Sequence, residues 1–237
     1  MHAGDTASLP ARCAHLVIRR VTARYVLDWL AAGWADFRRA PAPLSVATIV
    51  LLILAVLGTR AAGWLPVLLL PIYLGTVAAY SRMADQGQVF LAGSGAWRNA
   101  RLWGLAIAIV LLGAVLNGVL AAGAIFTLQA LLHMPTEVYL VAQAFLILVR
   151  LLGLLVLAAC WLAPALIVNR DAGVLQALRL SMTGSFRNAS AFLVMAPVAY
   201  GLLSLAALPL GLGLVVALPV LAGAAVRAAD DIVGEAH

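Results

Sequence analysis

The stretch LWGLAIAIVLLGAVLNGVLAAGA, residues 102–124, decides the fold. It carries no charge, and Asn117 is its one amide side chain. About 20 apolar residues at roughly 1.5 Å each cross a hydrocarbon core of about 30 Å. Five further runs read the same way, near 43–59, 64–81, 142–168, 190–207 and 210–226. They are continuously apolar rather than alternating, which selects helices over a barrel of strands. A chain that is 65% hydrophobic and 10% charged has more apolar surface than a soluble globule of 237 residues can hide. The expected fold is all-α: a polytopic six-helix transmembrane bundle with amphipathic interfacial helices on its cytoplasmic face.

Arginine orients that bundle. With the N-terminal segment inside, Arg12, Arg19, Arg20, Arg24, Arg38, Arg39, Arg82, Arg98, Arg101, Arg170, Arg179, Arg187 and Arg227 all fall in inner tails, inner loops or inner helix ends. Arg60 falls outside, and Arg150 falls within a span. This is the positive-inside bias, and an even number of spans then puts both termini in the cytoplasm. The expected location is the bacterial cytoplasmic (inner) membrane, crossed several times. Lysine is absent, which reads as the codon bias of a GC-rich bacterial genome. The net charge of +6 reads as arginines drawn to anionic headgroups, not as a nucleic-acid surface. The expected partners are the phospholipid bilayer and a membrane protein; the oligomeric state is not legible.

Residues 1–21 read as a cytoplasmic tail, 22–231 as one transmembrane domain and 232–237 as a second tail. Arg12, Arg19 and Arg20 are followed by no apolar run within reach, and the first span starts after Pro41-Ala42-Pro43. A retained chain is expected, with the first span as its insertion signal. Cys13 in the tail and Cys160 in the fourth span are too far apart to pair, so both are expected to be reduced and metal-free.

Three inner-face entries rhyme: Phe37-Arg38-Arg39-Ala40, Trp97-Arg98-Asn99-Ala100 and Phe186-Arg187-Asn188-Ala189. Ahead of the first and third lie similar openings, Val26-Leu27-Asp28-Trp29-Leu30 and Val174-Leu175-Gln176-Ala177-Leu178. The exits Leu70-Pro71-Ile72-Tyr73-Leu74-Gly75 and Leu218-Pro219-Val220-Leu221-Ala222-Gly223 match as well. A threefold hairpin repeat over about 22–85, 86–171 and 172–231 accounts for them. Convergence is the competing account, because aromatic residues and arginine gather at membrane interfaces anyway. Amphipathic helices are expected over about 22–38 and 174–187, lying in the headgroup plane. The lipid-headgroup residues would be Trp29, Phe37, Arg38, Arg39, Trp97, Arg98, Arg101, Arg179, Phe186 and Arg187. Bracing the bundle is the expected role of both helices, and a dock for lipid or a partner is the alternative.

Polar groups at depth point to function in a membrane protein. If the fourth helix runs straight from Arg170, Arg150 lies about 30 Å along it, near the outer boundary. Asn117 lies about 24 Å from Arg101 by the same rise, so the two can face each other, with Gln143 two turns beyond Arg150. Asn117, Gln143 and Arg150 are therefore the candidate ligand site; snorkelling of Arg150 with Asn117 bonding across helices is the structural alternative. The arms on either side of His133-Met134-Pro135-Thr136 exceed the hydrocarbon thickness, so they tilt, fold onto the outer interface or meet a partner. Pro71, Pro164, Pro197 and Pro219 fall within spans and are expected to kink them. Ala114, Gly118 and Ala122 form one small-residue ridge, and Gly75 and Ala79 another, for close helix packing.

Catalytic constellations are not found in the sequence. His2, His15, His133 and His237 form no ligand pair at helical spacing, and there is no nucleophile elbow or phosphate-binding loop. The expectation is a non-enzyme with no catalytic, cofactor-binding or metal residues. The segments Trp29-Leu30-Ala31-Ala32-Gly33-Trp34, Trp161-Leu162-Ala163-Pro164-Ala165-Leu166, Ala177-Leu178-Arg179-Leu180-Ser181 and Leu208-Pro209-Leu210-Gly211-Leu212-Gly213 carry a resemblance. The chain resembles a family of uncharacterised proteobacterial six-span inner-membrane proteins over roughly 20–230. More loosely, it resembles the membrane portion of glycerophosphodiester phosphodiesterases, without their catalytic barrel. The resemblance implies an integral inner-membrane protein and adds no active-site residue. Two functions stand: a scaffold, partner subunit or envelope-homeostasis component, or a small transporter or lipid-handling protein with a polar site near the outer leaflet.

Overall fold

The computed structural model describes residues 16–61, 65–86, 98–133, 136–208 and 210–235. They form an all-α fold closed by one small ladder. In chain order come β1 (Leu16–Ile18), α1 (Tyr25–Arg39), α2 (Pro41–Ala61), α3 (Leu65–Asp85), α4 (Ala100–His133), α5 (Thr136–Ala159), a 3-10 turn (Cys160–Leu162), α6 (Ala163–Arg170), α7 (Val174–Arg187), α8 (Ala189–Ala207), α9 (Leu214–Ile232) and β2 (Val233–Glu235). Three helices are long and apolar enough to cross a membrane, over Pro41–Gly58, Ala100–Leu128 and Ala189–Ala207; Thr136–Val149 is a shorter apolar helix. Helices also occupy most of the other three apolar runs, but the last begins at Leu214, four residues later than expected, because 210–213 form a turn with Leu210 and Gly211 at positive φ. The outward sides of the long helices are greasy, with Val46 and Ile53 on α2, Leu111 and Val115 on α4, and Leu193 and Tyr200 on α8 exposed. Such surface is costly in water and costs nothing in lipid.

α9 is the hub, touching α1, α2, α3, α6 and α8. Its buried side is built from Ala217, Ala222, Ala224, Ala225, Ala228 and Ala229, which lets neighbours come close. α1 comes closest of all. A Cβ on Gly33 would stand 2.2 Å from Val220 O and 2.7 Å from Ala224 N, and one on Gly223 would stand 2.9 Å from Gly33 Cα. Backbone thus meets backbone at the α1–α9 crossing, a contact only glycine permits. Farther out, the Thr48 hydroxyl bonds the Tyr73 hydroxyl at 2.8 Å, tying α2 to α3.

The fourth apolar run is not one straight helix, and the depth estimate for Arg150 loses that premise. An α-helical bond from residue 164 would run to the Cys160 carbonyl, but Pro164 has no N–H to make it and its ring crowds that oxygen. The chain answers with the 3-10 turn at Cys160–Leu162 and restarts as α6. Pro71, Pro197 and Pro219 remain inside α3, α8 and α9. Cys160 is free and buried; Cys13 lies outside the described residues.

The ridge on α4 also differs from expectation. Ala114, Gly118 and Ala122 are exposed, and a Cβ on Gly118 would meet nothing within 4 Å. The close contacts of the α4–α5 hairpin are made instead by Gly123 against Leu146 and Gly153 against Leu116. Spacing revealed a smooth stripe but not the side of the helix that is packed. On α3, Gly75 does seat Leu102 of α4.

The two segments expected as tails are joined where they are described. β1 pairs antiparallel with β2, Leu16 opposite Glu235 and Ile18 opposite Val233. The ladder continues through Arg19 N–H to Ile232 O at 2.7 Å. Both ends of the fold therefore lie on one side.

Candidate functional site

The polar groups that come together do so at that same end. α1 contributes Asp36 and Arg39, α3 contributes Ser81, Arg82 and Asp85, α6 contributes Asn169 and Arg170, and α9 contributes Arg227, Asp230 and Asp231. Each set sits in or near the last turns of its helix. Basic residues belong there, because the carbonyl ends of the helices carry partial negative charge.

Arg227 is the keystone. Its Nη2 donates to both oxygens of Asp36, at 3.0 and 3.1 Å, and its Nε donates to Asp36 Oδ2 at 3.3 Å. Toward the other side, Nη1 and Nη2 donate to Asp85 at 3.0 and 3.1 Å. Asp36 is buried, and the Ser81 hydroxyl donates to its Oδ2 at 2.5 Å. Arg39 stands 3.5 Å from both carboxylates. Burial disfavours the charge on Arg227, but the bonds to Asp85 and Asp36 outweigh it and raise the guanidinium above its ordinary value. One fork thus binds three helices, in the bidentate geometry that suits arginine and not lysine.

Beside this buckle lies a cavity of about 280 Å³, with Arg82, Asp85, Asn169, Arg170, Arg227 and Asp230 in its wall. Burial raises the Asp230 carboxyl above the usual range, against the pull of Arg170, the Asn169 amide and Arg227. Trp29 reaches the same face of α9: its Nε1 donates to Asp231 at 2.8 Å. Asn188, fully buried, accepts the Val21 N–H at 2.7 Å and donates to Arg19 O and Gly184 O at 3.0 and 2.9 Å. It fastens the strand segment to the α7–α8 junction.

The residues expected at the headgroups divide. Trp29 and Phe37 are buried, with Phe37 stacked on Trp34 at 5.8 Å. Arg38 lies over the Trp34 ring, 5.9 Å from its centroid, and Arg39 joins the buckle. Arg98 is exposed, and Arg101 ties the start of α4 to Asp171, donating to its carbonyl at 2.7 Å and to its carboxylate. Arg179, Phe186 and Arg187 are exposed and, with Met182 and Thr183, line an open apolar concavity of about 500 Å³ on α7. Trp97 lies outside the described residues. So do the side chains of Asn117 and Arg150; Gln143 donates to the Tyr139 hydroxyl, one turn back on α5, at 3.4 Å.

Sequence reasoning passed over Asp36, Ser81, Asp85 and Asp230. The signal was there: in a chain with nine acidic residues, Asp36, Asp85, Asp230 and Asp231 all fall near helix ends rich in arginine. An acid among arginines at such an end marks a pair. Compared with known proteins, the chain matches no family model, no curated protein and no solved structure.

Proposed function

We propose that this chain is a six-span integral protein of the bacterial inner membrane, with both termini cytoplasmic, acting without catalysis as a scaffold, partner subunit or envelope-homeostasis component. The threefold hairpin repeat and the resemblance to the six-span family belong to the same reading. The observation that carries it is the hub. α9 is closed round by alanine and glycine contacts, and its inner charges are held by Asp36 and Asp85. A helix so enclosed is suited to holding others in place. On the cytoplasmic face α7 lays Phe186, Arg179 and Arg187 against the bilayer surface, the ring among acyl chains and the guanidinium groups at phosphate depth.

Reporters fused after His237 and after Gly93 should read cytoplasmic, and one after Pro135 periplasmic. A periplasmic reading at His237 with the N-terminus inside would remove the architecture. For the role, the purified chain is placed in proteoliposomes and assayed for movement of solutes and of dye-labelled lipid. The scaffold reading expects rates equal to empty vesicles. Measurable flux would favour the second reading, a small transporter or lipid-handling protein using Asn117, Gln143 and Arg150. That reading has less support, since Gln143 is turned back on Tyr139 of its own helix.

A further inference from the structure

We infer that the concavity on α7 binds a lipid with two phosphates, of the cardiolipin class, Arg179 and Arg187 each taking one phosphate and the Thr183 hydroxyl meeting the glycerol between them. The inference rests on the proposal that this helix lies on the bilayer surface.

Arg179, Thr183 and Arg187 follow one another at four-residue intervals on α7. Each step of four advances one turn and rotates by about 40°, so the three form a band with the arginines about 12 Å apart along the axis. All three are exposed, and a single concavity of about 500 Å³ touches all of them. One ligand can therefore reach both guanidinium groups. Elsewhere the fold supplies its own anions: Arg39, Arg101, Arg170 and Arg227 each stand within 4.0 Å of an aspartate. α7 has no acidic residue, and neither of its arginines is paired with a carboxylate among the described residues. Both keep their whole fork for an outside anion, and phosphate suits that fork.

The rest of the concavity is apolar, formed by Met182 and Phe186. Leu175, two turns before Met182 and 64% exposed, extends the same ridge. Charge on one side and a greasy ridge on the other match a headgroup with its acyl chains. The position agrees, because α8 begins two residues after Arg187, is apolar enough over Ala189–Ala207 to cross a membrane, and exposes Leu193. A one-phosphate lipid satisfies one arginine and leaves the other to an independent capture. In a cardiolipin-class lipid the second phosphate is tethered to the first, which raises its effective concentration at the second arginine. The joining glycerol carries one free hydroxyl between the phosphates, as Thr183 stands between the arginines.

The purified full chain is examined by native mass spectrometry with tetraoleoyl cardiolipin or dioleoyl phosphatidylglycerol at equal phosphate concentration. Cardiolipin is expected to be retained about tenfold better, a modest return from tethering. Arg179→Gln and Arg187→Gln should each erase that preference, and Thr183→Val should weaken cardiolipin about threefold, the weight of one hydrogen bond. Arg38→Gln removes the same charge from α1, outside the concavity, and should leave the preference intact. Equal retention of the two lipids by the unaltered chain, or a loss with Arg38→Gln as large as with Arg187→Gln, would overturn the proposal. Photoactivatable phosphatidylglycerol in nanodiscs without cardiolipin tests the underlying placement of α7 separately, with acyl-chain adducts expected on Met182 or Phe186. Adducts on Leu193 but none on α7 would remove that placement and this proposal together. Adducts on α7 with equal retention of the two lipids would remove this proposal alone.

Discussion

α1 and α7 hold the same place in the chain, each leading directly into an apolar helix, yet they spend their aromatic residues in opposite ways. α1 buries Val26, Trp29, Gly33, Asp36 and Phe37. α7 buries Ala177, Ser181, Gly184 and Ser185, with Val174 half-buried. The spacing of the two sets is identical: Val26 corresponds to Val174, Trp29 to Ala177, Gly33 to Ser181, Asp36 to Gly184 and Phe37 to Ser185. The two Phe-Arg tetrapeptides are one residue out of step with that register. One residue turns a helix by about 100°, so Phe37 falls on the packed face and Phe186 on the open one. A sequence rhyme can therefore conceal an exchange of faces. α1 has become a wedge of large and charged side chains around one glycine; α7 has become a small-residue brace with its ring outward.

The sharpest way to break the α1 wedge is at Gly33. Alanine there would put a methyl against Val220 O and Ala224 N, and backbone cannot step aside. Gly33→Ala should cost more than about 3 kcal/mol, the upper end of overpacking. Gly184→Ala on α7 meets the Ile232 Cγ2 methyl at 2.9 Å, a side chain that can rotate, and should cost about 1 kcal/mol. Thermal or denaturant unfolding in one detergent compares them. Equal losses would mean that the α1 crossing is no tighter than the α7 contact.

Next in size is the charge that α1 buries and α7 lacks. Arg227→Leu would leave Asp36 desolvated with only Ser81 and Arg39 beside it. Breaking a buried pair from one side typically costs about 3–5 kcal/mol; Arg227 is partly exposed, which places the expectation near about 3 kcal/mol. Asp36→Asn in the Arg227→Leu background should recover part of the loss, measured as a double-mutant cycle. Additive losses would mean the fork does not couple α1 to α9.

Much of this was legible beforehand and some was not, for identifiable reasons. The helices over 22–38 and 174–187 were readable because their apolar stripes recur at helical spacing. The break after Ala159 was readable only as Pro164; which bond it would forfeit, and that a 3-10 turn would result, needed coordinates. Trp29 read as a headgroup residue because indole rings favour interfaces, but periodicity cannot tell a lipid from a neighbouring helix. The buckle draws on Asp36, Ser81, Asp85 and Arg227, four residues from three distant segments, each ordinary in its own surroundings. Asn117 and Arg150 drew notice instead because each is conspicuous alone in an apolar run.

A smaller effect is expected where the two helices share a support. Asn188 ends α7 and holds Val21 and Arg19, in the segment that leads from β1 into α1. Asn188→Ala removes three hydrogen bonds, one of them to a neighbouring strand-segment amide left without its acceptor, and should cost about 2 kcal/mol. Hydrogen exchange should localise the change, with Arg19 and Val21 losing protection while α4 and α5 keep theirs. Protection lost evenly over the chain would mean that Asn188 supports the whole fold and not this corner.

The smallest effect is expected at Phe186, which is 51% exposed where Phe37 is 8% exposed. Phe186→Ala should change stability by no more than about 0.5 kcal/mol, as a substitution away from packed groups does. Phe37→Ala should cost about 3 kcal/mol, because the ring it removes fills a packed face. The two residues open the same tetrapeptide motif and are followed by arginine in each case, so composition and local sequence are matched. What differs is one residue of helical phase. Unfolding in a single detergent gives both values directly. Comparable losses would show that α7 packs its ring in solution, and the exchange of faces between the two helices would not stand.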